Sequence, residues 1–286
     1  MNHFFAFFTG ILVSLMIAFN GQLGQAYGLH TSSVVVHVVG LFVVSCFVLL
    51  KKEKPFRKGF PWFYYMGGVI GVLSVFLTNF SFFYIRVSAI LALSLLGQSV
   101  MSIVVDHWGL FGMKKHPFQK RKFLGLLLLL CGIGFMVRDF YILALFLSFL
   151  SGVTIVLSRS LNAKLAGATS VTVGAFFNFF AGLLMAFLVY ALLGSGEAGL
   201  VEAFAFSSFL PIYLGGAVGV FVVIINNHVV SKIPAFYFSL LLFIGQVFSG
   251  IVIDMFIVGT FSPANLIGAV FVAGGLCVNL FLDVRK

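Results

Sequence analysis

Charge is what this sequence holds least of. Seven acidic residues occur among 286, and Lys, Arg, Asp and Glu together make up 8%, where a soluble domain carries roughly 25%. Apolar residues make up 62%, and no water-soluble fold hides that much apolar surface. Cysteine is nearly absent as well. Cys46, Cys131 and Cys277 are odd in number, far apart and each inside an apolar run. They fit neither a zinc pattern nor a disulfide framework, so they are expected as small core residues. Catalytic signatures are missing: there is no Gly-rich phosphate loop, no His-Glu-x-x-His and no assignable Ser-His-Asp set. No enzymatic activity, cofactor or metal is expected. Without a nucleotide site, any transport draws on a gradient or is passive. The first apolar run lacks a basic start, so it reads as a first span and not as a cleavable signal.

What is present is a series of apolar runs of the length that crosses a bilayer as a helix, about 20 residues. Lipid offers no hydrogen bonds, so each run must be helical or part of a closed barrel. The runs lack period-two alternation, which argues against a barrel. The expected fold is an all-α polytopic membrane protein with ten transmembrane helices, at 4–24, 31–50, 62–84, 87–106, 122–137, 140–161, 170–193, 209–231, 235–257 and 264–282.

The net charge of +10 could point to nucleic acid, but its placement points elsewhere. Ten spans put both termini on one side, and that side collects fifteen of the 17 Lys and Arg residues, including Lys51, Lys52, Lys114, Lys115, Arg159 and Lys164. The other side holds Arg86 and Arg138. The positive-inside bias then places both termini in the cytoplasm. The lipid bilayer, not nucleic acid, is the expected partner of this charge.

Tyr65, Gly67, Gly68, Gly71, Asn79, Gly97, Gln98 and Asp106 return 148 residues later as Tyr213, Gly215, Gly216, Gly219, Asn227, Gly245, Gln246 and Asp254, and 14 of the 42 positions from 65 to 106 are identical. Asn20 matches Asn162 and Gly40 matches Gly182 at a spacing of 142, while Gly125 and Gly132 match Gly268 and Gly275. All five spans of residues 1–138 thus have a counterpart in residues 139–286. Five is odd, so the second copy enters the membrane from the opposite side. Such five-plus-five inverted repeats place a substrate site near the midplane between the halves and allow alternating access.

Polar groups inside spans are costly in hydrocarbon and face a wet cavity or the protein interior. Gln98 and Gln246 fall near the middle of spans four and nine, where an amide offers donors and an acceptor to a small polar solute. The plainer reading is interhelical glue. Asn79, Asn227 and Asn226 are the next candidates. Asp106 and Asp254 are weak coupling candidates, more simply solvated or paired with a loop cation. His37 is a third, more simply a hydrogen-bonded core residue. Asn20 and Asn162 read most simply as helix caps at the interface. Arg159 and Lys164 are expected to snorkel to the cytoplasmic surface. Gly67, Gly68, Gly71 and their copies follow the small-xxx-small spacing of close helix packing.

Asn-Gly-Gln-Leu-Gly at residues 20–24, Gly-Gly-Val-Ile-Gly at 67–71, Leu-Gly-Gln at 96–98 and Val-Asp-His-Trp-Gly-Leu-Phe-Gly at 105–112 resemble the YdcZ-like inner-membrane exporters of the drug/metabolite transporter superfamily, in their fused ten-span form. The resemblance implies a carrier of the bacterial plasma membrane but no particular substrate. Small multidrug members of that superfamily carry an embedded Glu in span one. Span one here has no acid, so drug/proton exchange by that route is not expected. The function expected is that of a secondary transporter exporting a small polar or amphipathic metabolite, with homodimerisation left open. The alternatives are a membrane-embedded enzyme acting on lipid, for which Asp106-His107 is the only adjacent acid–histidine pair, and a partner subunit that transports nothing.

Overall fold

The computed structural model describes residues 2–55, 61–110, 122–137, 141–205, 210–229, 235–259 and 263–284. Among them the chain forms helices and no strand: α1 (Asn2–Tyr27), α2 (Leu29–Leu50), α3 (Met66–Phe82), α4 (Val87–Trp108), α5 (Lys122–Met136), α6 (Ile142–Ala168), α7 (Val171–Leu193), a short α8 (Leu200–Phe204), α9 (Leu214–Val229), α10 (Ala235–Val258) and α11 (Pro263–Val284). Single 3-10 turns lead into α3 and α9. Seven described helices are long and apolar enough to cross a membrane, and α5, α10 and α11 hold shorter apolar stretches. The ten long helices fall on the ten expected spans. The largest difference is at α6, expected to end at 161 and running on to Ala168. The junction expected between residues 138 and 139 lies outside the described residues.

Helix ends follow local chemistry. Gly28, at φ 99°, turns α1 into α2 in a conformation that a side chain would strain. Ser170 caps α7 by accepting the Val173 N–H at 3.0 Å. Gly109 closes α4 in the left-handed region.

The packing is reciprocal. α1 lies against α9 and α10 as α6 lies against α3 and α4, while α2 pairs with its own counterpart α7 and α5 with α11. The start of α2 meets the segment after α7, where the Glu197 carboxylate accepts the His30 and Thr31 N–H groups at 2.9 and 2.8 Å and the His30 ring at 2.7 Å. The end of α2 meets the start of α7, where Lys51 donates to Thr172 at 2.8 Å and Ser170 to Glu53 at 2.7 Å. The two copies therefore run in opposite senses, so the repeat is inverted.

Glycine sets the crossings. A Cβ on Gly152 of α6 would strike the Ser94 carbonyl and reach within 2.8 Å of the Gln98 nitrogen, and one on Gly10 of α1 would strike the Leu242 carbonyl and reach within 2.8 Å of the Gln246 nitrogen. The two positions are repeat mates with the same fit. Small residues bring backbones into contact where lipid supplies no hydrophobic drive.

The cysteines are not core residues. All three are exposed on helix surfaces, beside side chains such as Phe42 and Leu130. The medium outside is hydrocarbon, so a small apolar thiol gains little by turning inward.

Candidate functional site

The two glycine crossings lie beside Gln98 and Gln246, and both side chains line one cavity of about 170 Å³ between the halves. Asn79, Asn226, Asn227 and His37 line it too, so six of the eight site residues expected from sequence converge on one space. Asn20 and Asn162 also line it. The expectation that these two cap helix ends is corrected: α1 continues to Tyr27 and α6 to Ala168, so both amides lie inside helices and are buried. Gly215 and Gly67 make room for them, since a Cβ there would strike Asn20 Oδ1 and Asn162 Oδ1 respectively.

The lining is under-satisfied. Asn20 Oδ1, Asn226 Oδ1 and Gln246 Oε1 are buried acceptors, and Asn79 Nδ2 and Asn227 Nδ2 buried donors, with no hydrogen-bond partner among the described residues. Each would cost about 1–3 kcal/mol if left dry. A space this large readily holds water, which needs roughly 10–15 Å³ per molecule and two to four polar partners. The lining is thus built for a hydrated or hydrogen-bonding occupant.

One wall carries a charge. Arg159 lines the cavity and donates from Nη2 to Gln98 Oε1 at 3.2 Å. The expectation that it snorkels to the surface is corrected, because α6 extends nine residues beyond it, to Ala168. Among the described residues it has no carboxylate partner. Nearby, Asn162 donates to Asn178 Oδ1 at 2.7 Å, and Ser158 donates to the Gly67 carbonyl at 2.7 Å. Lys164, two residues beyond Asn162, sits over the Tyr64 ring at 5.1 Å. His37 has its Nδ1 2.7 Å from the Ser33 carbonyl. A carbonyl only accepts, so Nδ1 carries the proton, and in the neutral ring Nε2, which lies beside Gly182, is the acceptor.

Asp254 lies elsewhere. It is buried, and its two carboxylate oxygens accept the Val87 and Ser88 N–H groups at 2.9 and 3.0 Å, capping α4 from α10. It does not line the cavity. The side chain of Asp106 lies outside the described residues. At one end of the bundle lies Glu197: partial burial raises its pKa, but the hydrogen bonds from Thr31 and His30 outweigh this and hold it below the usual carboxylate range.

Sequence reasoning missed Arg159 and Asn178 and undervalued Asn20 and Asn162. The run Ser158-Arg159-Ser160-Leu161-Asn162 looked like the frayed end of a span. The signal available was the Asn20/Asn162 match, which belongs with the Gln and Asn repeats.

A family model described as "Putative inner membrane exporter, YdcZ" matches the chain twice, over residues 2–135 and 143–278. The chain belongs to this family. The first match covers α1 to α5 and the second α6 to α11. As a member of the YdcZ exporter family it is a membrane transporter in a fused two-repeat form. A solved structure titled only "Crystal structure of protein" superposes with a TM-score of 0.69 over 98% of each chain at 14% identity, which shows the shared fold. No curated protein sequence matches.

Proposed function

We propose that this YdcZ-family protein is a secondary transporter that exports a small polar or amphipathic metabolite by alternating access around the cavity between its inverted repeats. One observation carries the reading. Repeat-mate amides, Gln98 with Gln246, Asn79 with Asn227 and Asn20 with Asn162, line one buried space that belongs to neither half alone. Two copies of one unit can exchange conformations, closing one face as the other opens. Gln98 and Gln246 orient the solute, with Asn79, Asn226 and Asn227 completing the donors and acceptors. His37 is a histidine on the cavity lining, and so the better coupling candidate than the helix-capping Asp254. Both termini face the cytoplasm: with Arg159 withdrawn from the count, fourteen basic residues still face two.

Reconstitution into proteoliposomes tests this, with flux of labelled metabolites followed with and without a pH gradient. Saturable flux is expected, reduced roughly tenfold or more when Gln98 and Gln246 are both replaced by Ala, as losing two buried hydrogen bonds to the solute implies. Absence of flux across a broad panel, or flux indifferent to the double replacement, contradicts the proposal.

A further inference from the structure

The fold is two-fold symmetric, but the cavity is not. Repeat mates keep their places and differ in chemistry. Ser158 and Arg159 on α6 stand where α1 has Met16 and Ile17, and Asn178 on α7 stands where α2 has Val36. Ser74 on α3 stands where α9 has Val222. One wall thus has a cation and hydrogen-bonding groups, and the facing wall adds aliphatic surface between its amides.

Arg159 is the decisive group. A guanidinium has five N–H donors, and among the described residues its partner is one neutral amide oxygen, Gln98 Oε1. Buried charges are paired or coordinated, and ionised groups inside membranes are expensive and tied to function. The cavity's described lining includes no Asp, Glu or Lys, so nothing there neutralises Arg159, and no carboxylate there would offset the charge of an ammonium group beside it. A planar carboxylate matches the guanidinium fork with two charge-assisted hydrogen bonds.

We infer that the cavity binds a small amphipathic organic monoanion, with its carboxylate on Arg159 beside Gln98 and its apolar body against Met16, Ile17, Val36 and Val222. Zwitterions and cations are disfavoured. The volume of about 170 Å³ compares with the ~150 Å³ that accommodates a benzene-sized guest, which sets the scale of the body. That such an anion is the solute carried rests on the transport reading above. That it binds does not.

Benzoate, benzamide and benzylamine share a size and differ in charge, so they serve as probes. Their binding to the purified full chain in detergent is measured by calorimetry. Benzoate is expected to bind at least tenfold more tightly than either of the others, and Arg159→Gln to remove that preference. Gln98→Glu guards against a misfolded Arg159 variant, because it sets an internal carboxylate against Arg159. It should abolish benzoate binding without lowering the thermal midpoint. Equal affinity for benzamide, tighter binding of benzylamine, or no benzoate binding at millimolar concentration overturns the inference. Chloride binding as tightly as benzoate overturns the organic class. Benzoate bound without flux in proteoliposomes upholds the anion site and defeats the carrier reading. Flux of neutral or cationic solutes without benzoate binding does the reverse.

Discussion

The glycine crossings can be tested by a single methyl group. In Gly152→Ala the new Cβ meets backbone on every side, namely the Ser94 carbonyl and the Gln98 nitrogen at 2.8 Å. Backbone cannot rotate away as a side-chain tip can, so α4 and α6 must separate. Overpacking of this kind costs about 1–3 kcal/mol, and with rigid neighbours the upper figure applies. Replacing a helical Gly by Ala returns about 1 kcal/mol of propensity, leaving a net loss of roughly 2 kcal/mol. For a chain of this size that lowers the thermal midpoint by about 3 °C. Gly10→Ala makes the mate contact against Leu242 and Gln246 and should lose a similar amount. Gly274→Ala is the control, since nothing lies within 4 Å of its Cβ position, and it should be neutral or slightly stabilising. Thermal denaturation of all three in one detergent decides the matter. Gly152→Ala and Gly10→Ala tolerated as well as Gly274→Ala, or differing widely from each other, would refute both the close approach and the two-fold equivalence.

Two further outcomes are expected. Glu197→Gln should cost about 1 kcal/mol through a weakened cap on α2. Because the folded carboxyl titrates below its ordinary range, this contribution is complete above about pH 4.3 and fades as pH falls through the lower folded value. The midpoint gap between wild type and variant should stay constant from neutral pH to about pH 5 and narrow below pH 4; a gap that widens in acid would contradict the geometry. Asp254→Ala should destabilise by about 1–2 kcal/mol, as loss of a buried helix cap does, and leave the pH dependence of flux unchanged. A pH profile shifted by this substitution would return Asp254 to a coupling role.

Much of the fold was legible because hydrocarbon leaves the backbone so few options. Ten apolar runs, the matched Gly and Gln pairs and the odd number of spans per copy led to the inverted bundle and to Gln98, Gln246, Asn79, Asn226 and Asn227 in one cavity. Two kinds of error had one cause. Asn162 and Arg159 looked peripheral because the run around them is polar, and polarity along a line of sequence reads as a span end. In the folded chain α6 runs on to Ala168, and the polar run faces Gln98, Asn178 and Gly67 across helix interfaces. The cysteines looked buried by the habit of soluble cores, where water and not lipid lies outside.

By itself, then, the sequence determined what the bilayer demands: helices, their number, their duplication and the opposed sense of the copies. Only tertiary structure decided which polar groups meet. Asp254 is drawn to the open N–H groups at the start of α4, a helix distant in sequence, because those donors need an acceptor. Arg159 is drawn to Gln98 because glycine lets α4 and α6 come close enough to seat a cation in the interior. Pattern along a chain reports what each segment tolerates; which partner satisfies a buried hydrogen bond is set by how the segments cross.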